Sequence, residues 1–288
     1  SYQFYYNRGI AKYTLNDFES AIKDYSRSIE LKPTDRDSYL MRARSNEHLK
    51  NFEDAVKDYS KAIEIDPNNH LPYYNRGASK CDLGDFEVAI DDFTKALEIN
   101  PNLSQAYHSR ALAKYELGNY ESAIQDCEKS IEMDPSDYRS YYNRGMAKYL
   151  LEDNNGAVED YTTAIKINPE DGNTYFNRGL AYYHLENYED AIADYTKAIE
   201  RNSNNDRFYY NRGNTKSDLG DRKGAIADYT KAIEINPNND RSYYNRGLAK
   251  GYLGDEKGAT EDCTKAMKMN PDHNGAAYRK KESRPIML

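Results

Sequence analysis

An all-α array of helical hairpins is predicted by three observations. Proline returns on a 34-residue grid, at Pro33, Pro67, Pro101, Pro135, Pro169, Pro237 and Pro271, with Ser203 standing where the grid calls for another. The unit between prolines, as in Tyr141 to Pro169, recurs without insertion or deletion. Within it Tyr, Leu and Ala hold fixed places, spaced as one face of a helix rather than one face of a strand. Eight repeats fit: 2–35, 36–69, 70–103, 104–137, 138–171, 172–205, 206–239 and 240–273. A fixed period of this size marks a solenoid whose units pack only on their neighbours. Positions within a repeat are numbered 1 to 34 below, so Tyr141 is position 4 and Pro169 is position 32.

The boundaries of the two helices follow from cap residues. Position 16 is Asp or Asn throughout (Asp17, Asn51, Asp85, Asn119, Asp153, Asn187, Asp221, Asp255), which suits an N-cap before the second helix. Gly84, Gly118, Gly220 and Gly254 at position 15 suit the end of the first. Asp or Asn at position 34 caps the next repeat, and the proline at 32 stops the helix before it. Helix A then covers about positions 2–14 and helix B about 17–31. On a helical wheel, positions 4, 7, 8, 11 and 14 of helix A share one arc, expected to be buried. It carries Tyr at 4, Gly or Ala at 8 and Leu at 14, from Leu15 to Leu253. Helix B buries Ala at 20, an aromatic at 24 and Ala or Ser at 27.

These residues, on this period, resemble the tetratricopeptide repeat, and the resemblance covers nearly the whole chain. It implies a right-handed superhelix of helical hairpins, with helix A lining a groove that takes a peptide or a partner protein. Residues 274–288 follow the last repeat as a short tail, in which Ala276, Ala277 and Tyr278 are expected to pack on repeat eight. Two features depart from the family. Position 17, aromatic elsewhere, is Asn154, Arg222 and Glu256 in repeats five, seven and eight, which also carry Gly156, Gly224 and Gly258 at position 19. Their second helices are expected to start less firmly. Position 7 is Arg in every repeat, on the arc expected to be buried, and so needs a partner. Position 23 is Asp in every repeat. The match predicts a ladder of ion pairs, including Arg144 with Asp160, Arg178 with Asp194 and Arg212 with Asp228, in which the Asp belongs to the same or an adjacent repeat.

Composition excludes several function classes. The net charge of −8 is mild and spread out, against a nucleic acid as the main partner. No apolar run is long enough for membrane insertion. Three cysteines make no disulfide framework. Two of them, Cys127 and Cys263, replace the aromatic at position 24 as small core residues. A reducing, cytoplasmic setting is expected. The chain opens at Ser1, inside a repeat, as a processed or excised piece would. The histidines are scattered over different repeats, and neither a phosphate loop nor a Cys/His cluster is present. No enzyme activity, no metal and no cofactor are therefore expected.

Binding residues are sought on the opposite arc of helix A. Position 5 is aromatic in six repeats (Tyr6, Tyr74, Tyr142, Phe176, Tyr210, Tyr244), and position 6 is Asn in the same six (Asn7, Asn75, Asn143, Asn177, Asn211, Asn245). Repeats two and four break both series with Leu40 and Met41, then His108 and Ser109. Asn is a poor helix former with nothing to offer an apolar core, so its recurrence calls for a partner. The pattern is similar to the asparagine ladder of the O-linked N-acetylglucosamine transferase superhelix, which implies that these amides hold the main chain of an extended peptide. Arg139, Arg207 and Arg241 at position 2 would favour acidic ligands. The expected function is a non-catalytic interaction scaffold, with the principal peptide site in repeats five to eight. The alternatives are a substrate-recruiting arm of a larger enzyme and a module that self-associates.

Overall fold

The computed structural model describes residues 1–271 and 285–287. Sixteen α-helices and no strand occur among them, in hairpin pairs that follow the predicted period. The chain divides into two compact units, Ser1–Pro135 and Ser136–Leu288. The first holds α1 (Tyr2–Thr14) with α2 (Phe18–Leu31), α3 (Arg36–His48) with α4 (Phe52–Ile65), α5 (His70–Asp82) with α6 (Phe86–Ile99), and α7 (Ser104–Glu116) with α8 (Tyr120–Met133). The second holds α9 (Tyr138–Leu150) with α10 (Asn154–Ile167), α11 (Gly172–His184) with α12 (Tyr188–Arg201), α13 (Asp206–Asp218) with α14 (Arg222–Ile235), and α15 (Asp240–Tyr252) with α16 (Glu256–Met269). Within each unit every helix packs on its neighbours in sequence, the arrangement of a solenoid. The expected packing of Ala276, Ala277 and Tyr278 lies outside the described residues.

The core is a stack of rings and small residues. Alanines at position 20 and rings at position 24, such as Tyr25, Phe93, Tyr161 and Tyr195, are fully buried. Each ring lies across position 8 of its own helix A. A Cβ built on Gly145 would sit 2.9 Å from Cε1 of Tyr161, so the close approach depends on glycine there. The leucines at position 14 depart from the expected buried arc. They are the C-cap residues of helix A, and Leu15 is 78% exposed. Position 15 after them is left-handed in every repeat, with Gly at φ +77 to +87° in four and Asn16, Lys50, Glu152 and Glu186 at φ 59 to 65° in the others. Leu151, Leu219 and Leu253 are exposed as well, while Leu49, Leu83, Leu117 and Leu185 are half-buried, so the arc ends before this position without leaving it wholly to solvent.

The charged ladder runs within repeats. Each Arg at position 7 meets the Asp at position 23 of its own repeat, with N···O distances of 2.5–2.7 Å. In seven of the eight the arginine keeps only 15–24% of its side chain exposed. Two further partners complete it. Lys at position 11 adds a second cation to the same carboxylate, as Lys148 does to Asp160 at 2.9 Å. In repeats two, three, four, six, seven and eight, Ser or Thr at position 25 of the preceding repeat accepts from the remaining guanidinium nitrogen, as Thr196 does from Arg212 at 2.9 Å, while Glu128 stands at that position before Arg144. The carboxylate thus ties helix A to helix B, and the hydroxyl ties one repeat to the next. Repeats two and six lack the lysine and hold Asn46 and Tyr182 in its place. In repeat six burial raises the Asp194 carboxyl above its ordinary range despite Arg178. In repeat eight burial also pushes upward, but Arg246 and Lys250 together hold Asp262 below the ordinary range.

The second helices of repeats five, seven and eight are capped, contrary to the expectation from their unusual starts. Asp153, Asp221 and Asp255 each accept the N–H of the glycine three residues on, at 2.9 Å. A Cβ on Gly224 would fall 2.0 Å from Asp221 Oδ2, so the glycine makes room for the cap. Asp17 also accepts the N–H of Ser20 at position 19, at 3.2 Å, whereas Asn51, Asp85, Asn119 and Asn187 make no side-chain cap bond.

Candidate functional site

The helix A face of repeats five and six converges on one main-chain residue of the same chain. Asn177, on α11, is 1% exposed. Its Nδ2 donates to the Ile286 carbonyl at 2.9 Å, and its Oδ1 accepts the Ile286 N–H at 2.8 Å. One side-chain amide thus exchanges both bonds with one peptide residue, as a neighbouring strand would. The second Nδ2 hydrogen goes to Tyr142 Oη, on α9, at 2.8 Å. The Tyr142 hydroxyl in turn donates to the Ile286 carbonyl. Tyr142 is held by an edge-to-face contact with the core ring Tyr161. Every polar atom of Asn177 is therefore used, three bonds in all.

The neighbours of Ile286 separate these repeats from the rest. Pro285 is buried, Ile286 is half-buried and Met287 is exposed. At position 9, Met146 and Leu180 are 0% and 1% exposed, whereas Ile10 and Leu248 at the same position of repeats one and eight are 37% and 40% exposed.

The other asparagines are placed differently, for a reason written in the repeat before each one. A Tyr at position 5 of one repeat meets an Asn at position 6 of the next, so Asn245 donates to Tyr210 Oη at 3.1 Å as Asn177 does to Tyr142. Asn245 also donates to Asn214 Oδ1 at 2.9 Å, within its own surroundings. Asn211 follows Phe176, which has no hydroxyl, and its amide turns back to the Arg207 carbonyl at 2.9 Å. Asn143 is buried, while Asn75 is half-buried. Among the described contacts the asparagines of the second unit thus have differing partners. Among the described contacts, Asn177 is the asparagine that meets the Ile286 main chain.

The flanking residues also depart from expectation. Tyr142, Phe176 and Tyr210 are fully buried, with Phe176 packed on Tyr195 and Phe208. Tyr244 is half-buried and packs beside Ile233, Tyr243 and Ala266. Arg139 pairs with its own N-cap residue Asp137 at 2.8 Å, and the Arg207 guanidinium lies over the Phe176 ring at 5.2 Å. Arg241, on the first turn of α15, is half-buried. Two of the three arginines are thus engaged with the chain itself. In the first unit the same face holds a pocket of 380 Å³ lined by residues that include Tyr6, Leu40, Arg44, Tyr74 and Asn75.

This construction, a solenoid of helical hairpins with a polar slot on helix A, defines a class of repeat protein. The chain belongs to the tetratricopeptide repeat family. The "Tetratricopeptide repeat" description matches residues 2–35, 71–103, 104–137, 172–205 and 240–273, and "TPR repeat" matches 49–81, 145–186 and 213–254. A comparison with curated protein sequences returned no match. Solved structures are similar. YrrB, described as a TPR protein with an unusual peptide-binding site, is 26% identical with a TM-score of 0.57, over 66% of this chain and 97% of that one. A tetratricopeptide repeat protein from Parabacteroides merdae is 20% identical with a TM-score of 0.65, over 86% and 98%. The C-terminal part of a TPR repeat-containing protein from Cytophaga hutchinsonii is 18% identical with a TM-score of 0.70, over 83% and 98%. No helix among the described residues is long and apolar enough to cross a membrane.

Proposed function

We propose that the protein is a non-catalytic interaction scaffold that binds an extended peptide along helix A, with its principal site in repeats five and six. The observation that carries this reading is the amide of Asn177, which exchanges two hydrogen bonds with a single peptide residue. An amide that both donates and accepts matches the N–H and C=O of any non-proline residue, so it recognises main chain and tolerates varied side chains. The two side chains that bond the peptide residue, Asn177 and Tyr142, carry no charge, which favours an uncharged stretch of ligand over an acidic one. The likeness to YrrB, a TPR protein described as having an unusual peptide-binding site, supports the same class of function.

The test is selection from a random display library of extended peptides against the full chain, followed by calorimetric titration of the selected peptides. Micromolar-class binding is expected. Asn177→Ala, compared with Asn177 in a chain carrying Ile286→Pro so that the Ile286 main chain does not fill the site, and with its helicity verified by circular dichroism, should weaken it about tenfold or more, the cost of leaving peptide groups unpaired. Unchanged affinity in Asn177→Ala contradicts the reading.

A further inference from the structure

We propose that the segment Pro285–Met287 is the resident occupant of this site, bound in cis, and that it regulates access by competing with outside peptides. The inference rests on the reading of repeats five and six as a peptide site and adds what fills it. The geometry carries it in three ways. Ile286 presents its N–H and C=O to Asn177 at 2.8 and 2.9 Å, so the segment meets the slot through its main chain as a ligand does. Proline at 285 has no N–H, which makes Ile286 the first residue after it able to complete the two-bond pairing. Asn177 is almost fully buried, and removing Ile286 leaves two of its three bonds unmade. A buried amide without partners is costly, so the closed arrangement is favoured until another main chain takes the place of Ile286.

The chain is long enough to make the contact in cis. Thirteen residues, 272–284, lie between Pro271 and Pro285. A chain spans at most about 3.3–3.6 Å per residue, so these can bridge roughly 45 Å. Two repeats of helices packed about 10 Å apart require roughly 20–40 Å. A short tether presents its end at about millimolar effective concentration. Against a site of micromolar-class affinity, that raises the apparent Kd of an outside peptide by about 100- to 1000-fold. The segment gives up its place to a tighter ligand or to one at higher concentration, which makes the site selective by threshold rather than by sequence.

The experiment uses the full chain and the fluorescein-labelled peptide of residues 282–288, Glu-Ser-Arg-Pro-Ile-Met-Leu with blocked ends. Ile286→Pro removes the N–H that Asn177 accepts and releases the segment without touching a helix. The peptide should bind Ile286→Pro about tenfold or more tighter than it binds the unaltered chain. Adding Asn177→Ala to Ile286→Pro should abolish that gain. Equal affinity for the unaltered chain and Ile286→Pro, or no binding to either, overturns the proposal. If library-selected peptides still need Asn177 while the 282–288 peptide fails to compete, the peptide site stands and the cis occupant falls. Light scattering distinguishes the remaining source. A dimer that becomes a monomer in Ile286→Pro means that the occupant comes from a second copy, which refutes the cis arrangement; a monomer in both supports it.

Discussion

Replacing Asp160 with alanine removes the centre of one rung of the charged ladder. The Asp160 side chain is 4% exposed, and three nitrogens converge on it: Arg144 Nε at 2.9 Å, Arg144 Nη2 at 2.6 Å and Lys148 Nζ at 2.9 Å. Asp160→Ala leaves two cations facing each other over an apolar patch. Breaking a buried pair by removing one partner costs about 3–5 kcal/mol. Arg144 and Lys148 each keep 19% of their side chains exposed and can turn partly to water, which reduces the expected loss to about 2–4 kcal/mol. The neighbouring Glu159 is exposed, and Glu159→Ala should stay within about 0.5 kcal/mol. Urea denaturation followed by far-ultraviolet circular dichroism measures both. The unaltered chain must be fitted with the same transition model as the variants, because repeat arrays need not melt in one step. If the two variants lose the same stability, the ladder is a solvated surface feature and the reasoning fails.

Two further predictions concern local chemistry. Asp221→Ala should cost about 1 kcal/mol by removing the cap on α14, and Gly224→Ala a similar amount by expelling it. In the Asp221→Ala background Gly224→Ala should be neutral or stabilising, since alanine is the better helix former by about 1 kcal/mol, and a double-mutant cycle reads the coupling. Tyr182→Lys should give Asp194 the second cation that its counterparts outside repeat two have and move its carboxyl from above the ordinary range to below it, as read by carbon NMR titration. The sign of the pH dependence then reverses. With the raised value, the folded state holds the proton more tightly, so the contribution is greatest at low pH and is lost as pH rises through the folded value. With the lowered value, stability is present above about pH 4 and is lost as pH falls.

The period, the hairpin boundaries and the partners in the ladder were legible because each is repeated, and repetition turns a weak local preference into a pattern. Lys at position 11 was missed as a partner although it lay on the buried arc, because its long stem packs while its ammonium reaches the carboxylate. The leucines at 14 misled because apolar identity was taken for burial, whereas they stand at the C-cap of helix A, where the buried arc ends. Gly224 and its counterparts were read as weakening a helix start; their function depends on the Asp three residues earlier, a coupling that single-position reading does not see. The exception at Asn211 was visible in the sequence, as a Phe at 176 where a hydroxyl is needed. The approach of Ile286 to Asn177 was not, since recognition of main chain leaves no mark on the side chains recognised.

The central claim is that Asn177 recognises peptide main chain, and methylation of one peptide nitrogen tests it most directly. The 282–288 peptide is prepared with and without an N-methyl group on the residue corresponding to Ile286, and both forms are titrated against Ile286→Pro. The side chains are the same, and the methyl group removes the hydrogen that Asn177 Oδ1 accepts at 2.8 Å. Leaving that buried acceptor unpaired should cost about 1–3 kcal/mol, a weakening of about 5- to 150-fold. Replacing the same peptide residue by valine should change affinity by less than about fivefold, as a single buried methylene does. Equal binding of the methylated and unmethylated peptides would contradict the account.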